Sequence, residues 1–178
     1  MHPNRTLILF KSNVTSAFLN LPAHPIWQLN QVFKVNGSLH IIHHLVFSNH
    51  ASPHCWCVVS GLICWIGIHK YSIKRLYVYM DDFFGWDFTD NLSLFHEQLC
   101  SNWLVQLLRL WKLIACPFND KKQEHGSILK IIGFYVDINQ GSIILTPNLI
   151  HDIIEKISTF LDSPQQKAHL WEWQQLGS

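Results

Sequence analysis

Arginine is nearly absent. The 178-residue chain carries it only at positions 5, 75 and 109, against twelve histidines. Charge of either sign is scarce too: 14% of residues are Asp, Glu, Lys or Arg, and the net charge is +1. A protein that grips nucleic acid through its overall field needs a basic surplus, so any such contact here has to be local. Sparse charge beside 48% hydrophobic residues also excludes a disordered chain, and this length can bury a real core. Long apolar runs are missing. The main uncharged stretch, Cys55 to Ile68, is short of a bilayer span and reads as a buried helix, so no membrane partner is expected. Only Leu7 to Phe10 forms an apolar block before Lys11, which makes no secretory signal. An intracellular location is therefore expected, with reduced thiols and unused Asn-x-Ser/Thr sequons at Asn4, Asn13, Asn36 and Asn91. The five cysteines have no zinc-module spacing, and His50 with His54 is a thin basis for a metal site.

What is present centres on Leu76 to Trp86, an apolar run broken by two adjacent carboxylates, Asp81 and Asp82. Buried unpaired, they would cost several kcal/mol. A tight hairpin resolves the conflict: Leu76–Tyr79 as one strand, the aspartates at the turn, Phe83–Trp86 returning. Such a tip suits a hard cation such as Mg²⁺. The plainer alternative is an acidic turn with no chemistry.

Along the chain, Leu7–Asn13 reads as a strand, followed by a short helical turn through Ala17–Leu21. Asn36-Gly37 signals a hairpin between Gln28–Val35 and Leu39–Leu45. Ser52-Pro53 supplies a helix cap and a first-turn proline for a helix running to about His69. Asp90 caps a long apolar helix ending before Pro117. Lys130–Ile138 and Ser142–Leu145 are strands around an Asn139-Gln140-Gly141 turn, and Thr146-Pro147 opens an amphipathic helix. This is an α+β layout with helices on one face of an antiparallel sheet, suited to a polymerase palm or to a ferredoxin-like RNA-binding module.

Several spaced motifs together resemble a reverse transcriptase. Tyr79-Met80-Asp81-Asp82 is similar to the family's Tyr-x-Asp-Asp box, and Phe47-Ser48-Asn49-His50-Ala51-Ser52-Pro53 to its Phe-Gly-x-x-x-Ser-Pro box. Cys116 to Lys122 resembles the downstream Pro-x-x-x-Lys segment, and Ile131-Ile132-Gly133-Phe134 the Leu-Gly hairpin of the primer grip. Upstream, Lys11-Ser12-Asn13-Val14-Thr15-Ser16-Ala17-Phe18 lines up with Lys-Ser-Asp-Val-x-x-Ala-Phe. The pattern is most similar to a degenerate, fungal-like retrotransposon enzyme of the tyrosine-recombinase type.

The resemblance implies a palm over residues 1–145 and the start of a thumb over 146–178, with fingers largely missing, since about a dozen residues precede Asn13. It implies two divalent ions, Mg²⁺ or Mn²⁺, shared by Asp81, Asp82 and residue 13, and an RNA/DNA template-primer with dNTP as partners. It assigns nucleotide contacts to Phe18, Ser48, Ser52, Pro53, Tyr79, Met80, Lys121 and Lys122, and the primer grip to Gly133 and Phe134. By base rate Phe18 is as readily core, and the two lysines a solvated pair. Position 13 departs from the family: Asn stands where it has Asp. Losing one unit charge at about 4 Å removes roughly 4 kcal/mol of attraction per positive charge at an effective dielectric near 20. Even a fraction of that implies a rate loss of roughly a thousandfold. An impaired RNA-directed DNA polymerase, a non-catalytic nucleic-acid-binding module and a functionless remnant are the readings left. Asp to Asn, Gly to Ser and Arg to His each follow from a single G-to-A change, which fits a decayed gene.

Overall fold

A computed structural model describes residues 5–47, 49–96 and 98–162. Strand β1 (Leu7–Asn13) passes through a 3-10 turn, Ala17–Asn20, to the short α1 (Pro25–Gln28). A hairpin of β2 (Val32–Val35) and β3 (Ser38–Ile41) precedes α2 (Ala51–Lys70). Next come β4 (Leu76–Tyr79), β5 (Asp82–Phe88), β6 (Leu92–Phe95), β7 (Gln98–Ser101) and α3 (Asn102–Leu113). A 3-10 turn at Asp120–Lys122 leads into β8 (Glu124–Gly126), β9 (Ile128–Ile131), β10 (Phe134–Asp137), β11 (Ser142–Leu145) and α4 (Pro147–Leu161). The α+β class read from the sequence is the one observed.

The central sheet has the order β4-β5-β1-β8 and is antiparallel throughout. Successive strand residues point to opposite faces, and β5 obeys this strictly. Phe83, Gly85 and Asp87 are buried, whereas Asp82, Phe84, Trp86 and Phe88 are half-buried. On the buried face Phe10, Val14, Leu76 and Phe83 join Trp56, Ile63 and Cys64 of α2 and Leu104, Leu107, Leu108 and Trp111 of α3 in one core. Phe83 meets Trp111 edge to face at 5.1 Å. Fully burying a side chain of this size contributes roughly 1.5–3 kcal/mol. Gly85 faces Phe10 across the sheet, and a Cβ there would overlap both the Phe10 ring and the Arg75 carbonyl.

The opposite face is partly covered by the smaller sheet, β11-β10-β9. Leu129 and Ile131 pack there with Leu9, Phe84, Trp86, Val136 and Ile138. Asn139 fastens it by accepting from the Leu7 amide at 3.0 Å and donating to the Leu7 carbonyl at 3.1 Å.

Four local expectations are corrected. The helix over the Ser52-Pro53 signal begins at Ala51, because the Asn49 side chain accepts from the Ala51 amide at 2.9 Å; Pro53 then sits in the first turn, where its missing N–H has no partner to lose. At 20 residues α2 is also long and apolar enough, by length and composition alone, to cross a membrane, although six of its residues are buried in the core. Asp90 caps no helix. It pairs with Arg5 at 2.7 Å, and the β6–β7 hairpin fills the span before α3 begins at Asn102. Lys130–Ile138 is two strands joined at Ile132-Gly133, and the first arm of the Asn36-Gly37 hairpin starts only at Val32. Thr146 caps α4 as expected, accepting from the Leu149 amide at 3.4 Å. No residue of α4 is buried among the described residues, and the rest of the thumb-like stretch, 163–178, lies outside them.

Candidate functional site

The acidic doublet straddles the β4–β5 turn: Asp81 lies in the loop, whereas Asp82, expected there too, opens β5. Tyr79 pairs with Asp82, leaving Met80 and Asp81 as the two-residue loop. Met80 has a left-handed φ of 55°, a conformation a non-glycine residue adopts at a cost. Its carbonyl is held by the buried Trp56, whose indole Nε1 donates to it at 2.9 Å, and the Cys57 thiol reaches its sulfur at 3.4 Å. Helix α2 thus fixes the turn from below.

Register brings residue 13 to the same place. Asn13 is the strand partner of Asp82, and the Val14 amide donates to the Asp81 carbonyl at 3.1 Å. Asn13 is exposed and lies on the same face as Asp82. Residues Asn13, Asp81 and Asp82, from two loci, therefore lie side by side at one end of the sheet. The downstream box is drawn to the same end: Thr15 donates to the Pro117 carbonyl at 2.9 Å, and Val14 bridges Phe118. Lys121 and Lys122 follow on an exposed 3-10 turn capped by Asn119, just before Glu124 pairs with Lys11.

Other predicted residues lie at varied distances from this centre. Phe18 is buried, with Phe47 edge to face at 4.6 Å. Ser52 is fully buried and its hydroxyl has no partner among the described residues; Pro53 follows in the first turn of α2. Tyr79 is exposed on the edge strand β4. Gly133, with φ 83°, forms the β9–β10 turn with Ile132, and Phe134 opens β10, on the hairpin anchored through Leu129 and Ile131 rather than on the doublet. Ser48 lies outside the described residues.

One residue of the site was not singled out from the sequence. Lys11 shares a face with Asn13, two positions on, and its ammonium lies 3.5 Å from Asp82 Oδ2. Strand alternation alone could have found it. Asp82 is peculiar in what it lacks: Oδ1 is buried without a hydrogen-bond donor among the described residues. Burial pushes its carboxyl above the usual carboxylate range; Lys11 opposes that shift, while Asp81 and Glu124 add to it. A buried oxygen without a donor is one that a hard cation would complete, and carboxylate and amide oxygens are the ligands such ions prefer. Their charge is too small for two ions, since Asn13 is neutral and Lys11 already offsets Asp82. Among the described residues no group of three His, Cys, Asp or Glu converges on any point, so the His50–His54 pair gains no further ligand either.

The fold has known counterparts. The chain is similar to the foamy viral protease-reverse transcriptase solved with double-stranded DNA, at 16% identity and TM-score 0.60, covering 97% of this chain and 27% of that one. The fold is reverse-transcriptase-like. A second double-stranded DNA complex of that viral protein gives 19% identity and TM-score 0.54, over 95% of this chain and 31% of that one. Its complex with an RNA/DNA hybrid gives 17% and 0.55, over 83% and 18%. At these identities the likeness is one of fold, and the chain spans between about a fifth and a third of those proteins' length. No family model matches the chain, and no curated protein matches it significantly.

Proposed function

We propose that this chain is the palm of a retroelement reverse transcriptase whose polymerase chemistry is disabled at position 13, with residues 146–178 beginning a thumb. The observation that carries the reading is the pairing of Asn13 with Asp82 beside the Met80-Asp81 turn, which brings the doublet and the first-box residue side by side although they lie far apart in the chain. Asp81 and Asp82, with the Asn13 amide, would hold a single Mg²⁺ or Mn²⁺ ion, which when bound would supply charge neutralisation for nucleotidyl transfer. The chain's own groups do the rest. Phe18 closes the floor beneath the sugar, Lys121 and Lys122 are placed to meet phosphate, and the Ile132-Gly133 turn presents backbone to a primer strand.

Electrostatics limits how strongly template-primer is held. Arg75 is stacked on Trp86 at 3.6 Å and Arg5 is paired with Asp90, while the exposed Arg109 lies on α3, on the far side of the sheet. Phosphate contacts therefore rest on lysines, which act as point charges without bidentate geometry. The viral protein of similar fold was solved with an RNA/DNA hybrid and with double-stranded DNA, which supports nucleic acid as the partner.

Primer extension on an RNA or DNA template tests the reading. The chain as it stands should extend a primer at no measurable rate in Mg²⁺ or Mn²⁺, and Asn13→Asp should gain at least tenfold over that background. Template binding without extension in either form would favour a non-catalytic nucleic-acid-binding module, and neither binding nor extension a remnant without biochemical role.

A further inference from the structure

We propose that Lys11 is a built-in counter-cation for Asp82, an ammonium that keeps divalent metal out of the carboxylate site of this chain. The inference rests on the reading above that Asp81 and Asp82 form a metal-type site, and adds what controls it. The lysine is placed by three independent constraints. Strand alternation puts it on the face of Asn13 and Asp82. Its ammonium lies 3.5 Å from Asp82 Oδ2 and donates at 3.4 Å to the carbonyl of Lys130, on the smaller sheet packed over that face. Glu124, its partner on β8, adds a second carboxylate within the same field.

Both side chains of the pair are largely shielded, at 14% and 19% exposure, so solvent screens the attraction less than on an open surface. The same shielding raises the repulsion between the ammonium and any dication that approaches the free Oδ1 of Asp82. Where residue 13 is an aspartate, an additional negative charge opposes that repulsion. With Asn13 that charge is absent, and Lys11 offsets Asp82, the doublet residue whose oxygen is left over.

Manganese binding followed by electron paramagnetic resonance tests this without recourse to catalysis. Four forms of the full chain are compared: unaltered, Lys11→Met, Asn13→Asp and the double variant, with circular dichroism confirming the fold. Lys11→Met should bind Mn²⁺ at least tenfold more tightly than the unaltered chain, and the double variant should exceed Asn13→Asp by a similar factor. Lys11→Arg, which keeps the charge, should stay as weak as the unaltered chain. Should Lys11→Met fail to fold, Lys11→Gln takes its place with the same expectation. The proposal is overturned if Asn13→Asp tightens binding while removal of the lysine changes nothing, and equally if Lys11→Arg binds as tightly as Lys11→Met. If neither Asn13→Asp nor the double variant binds Mn²⁺ better than the unaltered chain, the metal-site reading itself falls and takes this inference with it.

Discussion

Two aspartates on one strand, Asp82 and Asp87, occupy opposite faces of β5 and have opposite fates. Asp87 is fully buried, yet both oxygens are supplied with donors. The Phe88 amide donates at 2.8 Å, Ser101 Oγ at 2.8 Å, and Asn91 Nδ2 reaches both oxygens at 3.1 and 3.0 Å. The Trp103 amide, in the first turn of α3, adds a longer contact at 3.5 Å. Negative charge at a helix N-terminus is favourable, so Asp87 ties the β6–β7 hairpin and α3 to the sheet. Asp82 is less buried but worse served, with one ammonium and one oxygen left over. A carboxylate whose lone pairs are filled by its own fold is structural; one left short has room for a ligand.

The comparison predicts different costs of removal. Asp87→Ala leaves the Ser101 hydroxyl and the Asn91 amide without their acceptor and should destabilise the fold by about 3 kcal/mol or more, seen as a large drop in the urea midpoint. Gly85→Ala, between the two on the same strand, forces a Cβ into the Arg75 carbonyl and should cost about 1–3 kcal/mol by the same measurement. Asp82→Asn should change stability by less than about 1 kcal/mol, since little in the fold depends on its charge. Equal losses at Asp82 and Asp87 would erase the distinction drawn here.

A smaller effect separates the packed side from the outside by pH. Burial pushes the Cys116 thiol up to about 11, whereas Cys57 is exposed. A thiol reagent at pH 8 should modify Cys57 quickly and Cys116 only when the chain opens. Because the Cys116 value is raised by folding, its proton contributes stability that is complete below about pH 8.5 and is lost as pH climbs toward 11. A Cys116→Ser variant should show a shallower alkaline decline in melting temperature.

How much of this was legible in the residues follows from where the determining interactions lie. Local chemistry announced β1, the turn around the doublet, the Asn36-Gly37 hairpin and the Thr146 cap, each fixed by neighbours a few positions away. The β6–β7 hairpin was hidden. Its turn runs through His96 at φ 44° with no glycine to mark it, and its anchor is Asp87, whose partners stand up to 16 residues away. The split at Ile132-Gly133 escaped the strand pattern, since a β-branched residue at φ 49° carries no turn signal, and only the likeness of Ile131–Phe134 to a hairpin box pointed to it. At the site, motif spacing named Asn13, Asp81 and Asp82, but only register shows that strand pairing sets Asn13 against Asp82. Lys11 was readable from alternation, and the orphaned oxygen of Asp82 was not, because it depends on every atom packed around it.

The proposal that Asn13, Asp81 and Asp82 share one cation position is tested most directly by paramagnetic broadening of backbone amide resonances during a Mn²⁺ titration of the Asn13→Asp chain. Signals of residues 12–14 and 79–82 should vanish first and together, with Asp82→Ala abolishing the effect. Earliest broadening around His43, His44, His50 and His54, with the doublet untouched, would contradict it.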